Sequence, residues 1–273
     1  MDYQDILYDV DGHVAVITLN RPRYRNAQSR RLREEMDHAF DRAAEDTNAR
    51  VVVLAGAGDH FSAGHDIGTP EHRADLEARP YEAGLRGEYE RTWSLNVENT
   101  LRWRNHPKPT IAAVQGYCIF GGWIIASGMD LIFAADDARF LCSLFQYFSV
   151  PWDLGARKAK EILFEGRFLS AEEALELGLV NRVVPRAQLM DDVMAYAHRV
   201  AENDPFQLRM IKLAVNQAQD AQGFTTSIRG AFHQYLLRGV AERDPAAVKV
   251  DTGGRRRLGG VQKAFEREAQ RAP

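Results

Sequence analysis

The sequence has few cysteines, no long apolar run and little net charge. Only two of its 273 residues are cysteines, Cys118 and Cys142, and both stand among apolar neighbours. This usage predicts buried free thiols and argues against a disulfide framework or a metal site. No apolar run reaches the roughly 18 residues that a membrane-spanning helix needs. A net charge of −3 argues against a general nucleic-acid or membrane-surface binder.

The start of the chain also lacks the basic and apolar segments of a signal peptide. It reads MDYQDILYDV, which is acidic, and we therefore expect a cytoplasmic protein. An apolar content of 45% is ordinary for a globular chain that is long enough to bury a substantial core.

Strand and helix patterns alternate along most of the chain. Leu7–Asn20 predicts a hairpin with a tight Asp-Gly turn, and Ser29 is placed to cap a helix. Val51–Ala55 is all apolar, as in a strand covered on both faces. The pattern turns purely helical near the end, which predicts an α/β core over 1–204 and a helical segment over 205–273. Periodicity alone does not separate this core from a doubly wound nucleotide-binding fold.

Two other segments give weaker signals. Gly68–Asn105 is polar in its first half, which predicts a mobile segment, and only from Tyr89 does apolar spacing predict a helix. Leu179–Val184 is predicted to form the last strand.

Two glycine-containing stretches stand out as candidates for a ligand site. Thr110–Asp130 begins as a buried strand, breaks at Gly116 and opens at Gly121 into an apolar helix. Glycine at such a turn lets the backbone approach a ligand closely, and the helix start points N–H groups at it. Phe61–Ile67, with the sequence FSAGHDI, is the expected partner of this turn.

At these two stretches the sequence resembles the crotonase superfamily, which includes the enoyl-CoA hydratases and isomerases. The resemblance covers nearly the whole chain, and it is specific because several weak motifs occur in the family's order and spacing. Those motifs are Asn20-Arg21-Pro22 with Arg25-Asn26-Ala27, then Ala63-Gly64 with Asp66, Pro107–Val114 with Gly116-Tyr117 and Gly121-Gly122, Ala171–Val184, and Asp204-Pro205 with Lys212.

The resemblance implies an α/β fold, namely a crotonase-like spiral of β-β-α turns with a helical C-terminal trimerisation segment. It implies an acyl-CoA substrate, no cofactor besides the coenzyme A of that substrate, and a homotrimer or a dimer of trimers. It also implies an oxyanion hole for the thioester oxygen, formed by the backbone N–H groups of His65 and Gly121.

The resemblance further implies contacts to the substrate and its CoA moiety. The loop Asn20–Ala27 is expected to wrap the CoA adenine, and Arg23 and Arg25 are expected to bind the CoA phosphates. Asp66 is also expected to hold its loop in place. The residues expected to bind substrate or CoA are Arg23, Tyr24, Arg25, Ala27, Ala63, Asp66, Ile67, Gly122, Leu144 and Trp152.

The sequence departs from the hydratases of this family at their two glutamates. The corresponding positions hold Ile124 and Leu144, and neither side chain transfers a proton. Two-carboxylate hydration is therefore not expected, and the retained oxyanion hole favours other chemistry on a stabilised enolate. Some family members use an aspartate close to the position of Asp153, which makes Asp153 the expected acid/base of an isomerase or C–C hydrolase.

Other interpretations stay open. Asp153 could instead cap the helix that begins near Ala156, and the two roles can coexist. The chain could be a hydratase that takes acids from another segment, such as Glu88 or Glu90. A third interpretation is an acyl-CoA-binding subunit without catalysis.

Overall fold

Two β-sheets and a set of covering helices build the chain in a computed structural model, which describes residues 2–142, 148–243 and 260–271. The strands in these residues are β1 (Ile6–Asp11), β2 (Val14–Leu19), β3 (Val51–Gly56), β4 (Thr110–Val114), β5 (Tyr117–Ile119), β6 (Leu131–Ala135), β7 (Arg139–Leu141), β8 (Leu169–Ser170) and β9 (Arg182–Val184).

The helices in the same residues surround these strands. They are α1 (Arg30–Glu45), α2 (Pro70–Ala78), α3 (Gly84–Thr92), α4 (Asn99–Arg104), α5 (Gly121–Ser127), α6 (Val150–Leu154), α7 (Ala156–Glu165), α8 (Ala171–Glu176), α9 (Leu189–Ala201), α10 (Pro205–Ala221), α11 (Phe224–Arg243) and α12 (Gly260–Arg271). A π-helical segment, Trp93–Glu98, joins α3 to α4.

The larger sheet has the strand order β1-β2-β3-β4-β6-β9. Its first pair is the predicted hairpin and is antiparallel, and each later pair is parallel. Val51, Val52 and Val53 in β3 are all fully buried, because alternate side chains pack towards α1 on one face and towards α9 on the other. The all-apolar strand is thus covered on both faces, as predicted.

The smaller sheet has the order β5-β7-β8, and the chain winds between the two sheets. From β4 it passes to β5 and then to α5, and from β6 it passes to β7 and then to α6 and α7. Each turn of this winding contributes a strand to each sheet and then a helix. The predicted spiral of β-β-α turns is therefore confirmed.

Helix starts follow the capping signals in the sequence. The Ser29 hydroxyl accepts a hydrogen bond from the Leu32 N–H at 3.0 Å and begins α1. Ser170 caps α8 through the Glu173 N–H at 3.2 Å, and Asp204 caps α10 through the Gln207 N–H at 2.8 Å.

The prediction for Gly68–Asn105 was incomplete. Its polar first half holds α2, which Thr69 caps through the His72 N–H at 3.3 Å and in which Pro70 takes the first helical position. The helix has no apolar periodicity because none of its residues is buried. The next helix, α3, also begins at Gly84, ahead of the predicted Tyr89.

The predicted last strand is shorter than expected, since only Arg182–Val184 pairs in the sheet. Leu179 and Val180 are buried before the strand begins. Within the ranges that the structure describes, no helix is long and apolar enough to cross a membrane.

Candidate active site

One side of the site is the turn from β5 into α5. Phe120, just before the helix, has φ +48° and ψ −102°, which is a rare conformation for a residue with a side chain. Its carbonyl accepts a hydrogen bond from the Ile124 N–H at 3.1 Å. Because C=O and N–H point in opposite directions across a trans peptide, the Gly121 N–H points out of the N-terminal end of α5.

The other side is the loop after β3, which the start of α1 supports. The Gln28 N–H donates to the Gly64 carbonyl at 2.8 Å, and the Asp66 N–H donates to the Gln28 carbonyl at 3.0 Å. These bonds fix the peptide planes on both sides of His65. By the same trans geometry, the His65 N–H points away from the backbone of Gln28.

The two loops meet at their glycines. Gly64 has φ +90°, and a Cβ atom placed on it would lie 3.1 Å from the Gly121 nitrogen and 2.7 Å from the Ile119 carbonyl oxygen. Only glycine allows so close a contact between backbones. In the part of the chain that the structure describes, neither the His65 N–H nor the Gly121 N–H donates a hydrogen bond. Two adjacent unpaired donors are what an oxyanion hole requires.

Contacts beside the glycines hold the two loops in register. A Cβ atom on Gly122 would come within 2.6 Å of the Ser62 carbonyl oxygen, so that helix α5 lies directly on the loop. The Ala63 N–H donates to the Arg25 carbonyl at 2.8 Å. The predicted CoA loop therefore lies next to the predicted oxyanion loop.

The imidazole of His65 packs on Gly121. A Cβ atom on that glycine would lie 2.9 Å from His65 Cε1 and 3.0 Å from Nδ1. Burial and the positive charge of Arg33 lower the pKa of His65 to about 3. The ring is therefore neutral at physiological pH and is a weak base.

The Asp66 carboxylate is hydrogen-bonded to several groups of the protein. Its carboxylate accepts hydrogen bonds from the Gly68 N–H at 3.0 Å, from the N–H and hydroxyl of Thr69 at 2.9 and 2.6 Å, and from Arg21 at 2.9 Å. Burial alone would raise its pKa, but these bonds outweigh burial and lower the pKa to about 2. The carboxylate thus holds the loop in place, as expected, while its predicted contact with substrate stays a prediction.

The carboxylate of Asp153 lies beside α5. One of its oxygens accepts hydrogen bonds from the Ser149 hydroxyl at 2.6 Å, the Ser127 hydroxyl at 3.0 Å and the Trp123 indole N–H at 3.3 Å. Burial raises the pKa of Asp153 to about 6 although these three bonds lower it. Such a group changes protonation near neutral pH.

The alternative that Asp153 caps the following helix is wrong. The N-cap residue of helix α7 is Gly155 and not Asp153, and this helix start has no side-chain cap hydrogen bond. The Asp153 carboxylate instead points to Trp123 and Ser127 on α5, because Asp153 itself lies within the short helix α6.

The side chain of Ile124, at one hydratase position, is only 2% exposed. It packs in an apolar cluster whose members also include Val97, Phe148, Phe224 and Ile228. The other hydratase position, Leu144, lies outside the described residues. Of the two acids considered from another segment, Glu88 forms an ion pair with Arg243 at 2.7 Å.

The remaining predicted contact residues line the outside of the two loops. Arg23 and Arg25 are exposed, and the Arg23 guanidinium lies 5.3 Å from the ring of Tyr24. Ala27 is half-buried, and the Ile67 side chain is 97% exposed.

Trp152 does not lie on either of these two loops. Its indole N–H donates to the Ser227 hydroxyl at 3.2 Å, and its ring packs edge-on against Phe224 on α11.

The sequence interpretation missed three residues that shape the site. Gln28 and Arg33 were not among the predicted site residues, yet both are buried, and Gln28 Oε1 lies against Gly121. Phe120 carries no local signal in the sequence, and only its backbone angles single it out. No group of three or more potential metal ligands occurs among the described side chains.

Comparisons with known proteins agree with the fold. Residues 9–233 match a family model described as enoyl-CoA hydratase/isomerase. The chain is 35% identical to "Putative enoyl-CoA hydratase EchA13" of Mycobacterium tuberculosis, over 97% of this chain and 88% of that protein.

Solved structures are similar as well. A probable enoyl-CoA hydratase from Mycobacterium smegmatis superposes with a TM-score of 0.80 at 43% identity, over 89% of this chain and 98% of that one. An enoyl-CoA hydratase/isomerase from Xanthobacter autotrophicus Py2 gives a TM-score of 0.79 at 30% identity over both full chains.

Proposed function

Because the chain belongs to the enoyl-CoA hydratase/isomerase family, we propose that it binds a thioester carbonyl between the N–H groups of His65 and Gly121. The observation that carries this proposal is that the N–H groups of His65 and Gly121, which have no acceptor among the described residues, lie close together where Gly64 meets Gly121. As the carbonyl becomes enolate-like, both donors strengthen their hydrogen bonds to its oxygen. Each donor of this kind contributes about 3 kcal/mol to a transition state.

We propose that the reaction is an isomerisation or the hydrolytic cleavage of a C–C bond, with Asp153 moving the proton. The aliphatic side chain of Ile124 supports this choice, since hydration needs a carboxylate that Ile124 lacks. Asp153 supplies a buried carboxyl group whose pKa of about 6 suits proton transfer near neutral pH.

The place where the Asp153 carboxylate contacts α5 favours chemistry away from the thioester itself. Its hydrogen-bond partners Trp123 and Ser127 are two and six residues beyond Gly121 on the same helix, which corresponds to roughly 3 and 9 Å along the helix axis. An acyl chain anchored at Gly121 would reach Asp153 through several carbon–carbon bonds. This separation suits migration of a distal double bond or opening of a ring.

The decisive experiment is turnover of a panel of CoA thioesters by the wild type and by Asp153→Asn. The panel should hold 2-enoyl, 3-enoyl and 2,4-dienoyl esters and a cyclic β-keto ester. Loss of turnover in the variant on the ester that the wild type uses supports the proposal. Equal rates on that ester would remove Asp153 from the mechanism.

A hydratase is the second candidate, because the relatives named above carry that description. Its acids would have to come from elsewhere, such as Glu88 or Glu90 on α3. Glu88 is held by Arg243 and would have to leave this ion pair. Hydration of crotonyl-CoA at an ordinary rate, lost in Glu88→Gln or Glu90→Gln, would support this candidate against isomerisation.

A non-catalytic acyl-CoA-binding subunit would bind CoA esters tightly and turn over none of the panel. We favour an enzyme because Asp153 places a buried carboxyl group beside α5, the helix that begins at Gly121, through its hydrogen bonds to Trp123 and Ser127.

We also propose that the protein assembles as a homotrimer or a dimer of trimers. Helix α10 has no buried residue, although its side chains Phe206, Ile211 and Val215 are large and apolar. They are 68%, 54% and 59% exposed, and a contiguous apolar surface of this kind favours contact with another chain.

The CoA moiety is proposed to lie along the Arg23–Ala27 loop. The two buried free thiols support a cytoplasmic location.

A further inference from the structure

A buried arginine lies behind the two loops. Arg33, on α1, is only 2% exposed, although burial of a charged group is costly unless polar partners surround it. Its guanidinium donates to Gln28 Oε1 at 2.6 Å and to the Thr100 hydroxyl at 3.2 Å, and its Nε donates to the Leu95 carbonyl. The guanidinium is thus held in one orientation by groups from three segments.

Gln28 connects this guanidinium to both loops. Its Oε1, which accepts from Arg33, lies 3.0 Å from the position of a Cβ atom on Gly121. Its Nε2 donates to the Ser62 hydroxyl at 3.1 Å, and that hydroxyl accepts from the Gly64 N–H at 3.2 Å. One side chain therefore touches the Gly121 turn and supports the loop that carries His65.

We propose that Arg33 is a positioning residue of the oxyanion hole, whose buried positive charge acts through Gln28 on the two N–H donors and on the enolate between them. This inference rests on the proposed oxyanion hole and adds a cationic support behind it. Negative charge that develops on the thioester oxygen is stabilised by a fixed positive charge in a region that excludes water.

The neutral protonation state of His65 agrees with a positive electrostatic potential from Arg33. The charge of Arg33 contributes, after burial, to the lowered pKa of His65. A guanidinium that disfavours a positive imidazolium beside Gly121 favours a negative oxygen at the same place.

Binding of cinnamoyl-CoA tests this role without knowledge of the natural substrate. An oxyanion hole that polarises the thioester carbonyl shifts the absorption of the conjugated cinnamoyl group to longer wavelength. We expect a clear red shift in the wild type, less than half of that shift in Arg33→Met, and an intermediate shift in Arg33→Lys, which keeps the charge. The dissociation constant of CoA itself should change less than about threefold, because Arg33 is buried away from the exposed CoA loop.

Two variants at Gln28 keep the test valid if Arg33→Met fails to fold. Gln28→Leu removes the connection, and Gln28→Glu keeps the shape but places a carboxylate between Arg33 and Gly121. We expect a smaller red shift in Gln28→Leu than in the wild type, and the smallest in Gln28→Glu, because the carboxylate offsets the positive charge. A role in packing alone would make the isosteric Gln28→Glu the milder of the two.

The matched control is Arg42→Met, which removes an exposed arginine from the same helix, where it lies over the ring of Tyr8. It should give the wild-type shift. Wild-type shifts in folded Arg33→Met and Gln28→Glu would overturn the role of Arg33. A wild type that binds the probe without any red shift would overturn the proposed oxyanion hole itself, and the inference with it.

Discussion

The imidazole of His65 rests on the Cα atom of Gly121, so that a methyl group at Gly121 would come within 2.9 Å of the ring. The same methyl group would lie 3.0 Å from Gln28 Oε1. Both neighbours are fixed, since the peptide planes around His65 are bonded to Gln28 and the Gln28 amide is bonded to Arg33 and Ser62. There is therefore no room for a side chain on Gly121.

Gly121→Ala is accordingly expected to lower kcat on the acyl-CoA substrate by about 100-fold, the usual effect of losing one oxyanion donor. The added methyl group would push the His65 ring or the helix start away and misalign both N–H groups. Steady-state kinetics on the thioester identified in the panel measures the loss.

Gly230→Ala is the control for this substitution. Gly230 lies in α11 with nothing within 4 Å of the position of its Cβ, and alanine there should preserve turnover while stabilising the helix by about 0.5–1 kcal/mol. Full activity in Gly121→Ala would contradict the assignment of its N–H group to the oxyanion hole.

Asp153→Asn is expected to lower turnover by 10²-fold or more, a typical contribution of a positioned acid/base group. Wild-type activity should rise with pH through an inflection near 6, as the carboxyl loses its proton and becomes a base. The residual activity of the variant should lack this inflection. Identical pH profiles in the two proteins would exclude Asp153 as the base.

The stability of Asp153→Asn separates this loss from unfolding. In the wild type the folded-state pKa of about 6 exceeds the ordinary value of 3.8, so folding is favoured below pH 4 and penalised as pH rises through 6. The variant escapes this penalty and should be more stable than the wild type at pH 8, by no more than about 3 kcal/mol. Urea unfolding at pH 4 and pH 8 should show the difference only at the higher pH.

Asp66→Asn should destabilise the fold. The folded-state pKa of about 2 lies below the ordinary 3.8, so the ionised carboxylate stabilises the protein above pH 4 and this stabilisation is lost as pH falls towards 2. We expect a loss of about 2 kcal/mol at pH 7, measured by urea unfolding, and a smaller loss at pH 3. Glu34→Gln, which removes an ion pair with the half-exposed Arg79, should cost less than about 1 kcal/mol.

Local patterns were sufficient to predict many of the strands and helices, whereas the spiral arrangement was expected only from the family resemblance. Buried strands such as Val51–Gly56 and capped helices such as α1 and α10 carry their signals within a few residues. Helix α2 was missed because it buries no side chain and only Thr69 and Pro70 mark its start. The two loops were identified as a candidate site from their glycines, and their proposed role as an oxyanion hole comes from the family resemblance.

The support behind the site could not be predicted in the same way. Arg33 is buried by Leu95 and Thr100, which follow it by 62 and 67 residues. A charged residue at a helix start normally faces solvent, and no local pattern distinguishes this one. The same holds for Asp153, whose partners Trp123 and Ser127 come from a helix much earlier in the chain.

Phe120 offers a test of backbone strain at the site. Its φ of +48° suits glycine, and its ring packs on the cluster that joins the small sheet to α12. Phe120→Ala and Phe120→Gly both remove the ring, but only alanine keeps the strain. We expect the glycine variant to be more stable than the alanine variant by about 1 kcal/mol, the reverse of the order at ordinary positions. Thermal unfolding that gives alanine the higher stability would contradict strain at Phe120.

Assembly is tested on the exposed face of α10. Ile211 and Val215 are more than half exposed and lie one helical turn apart, so that glutamate at both positions would place charge in an apolar contact between subunits. Light scattering after size exclusion should give a mass of three or six chains for the wild type and a smaller mass for the double variant. Leu175→Glu, at an exposed apolar residue of α8, should leave the mass unchanged. A monomeric wild type, or an unchanged mass in the double variant, would contradict assembly through α10.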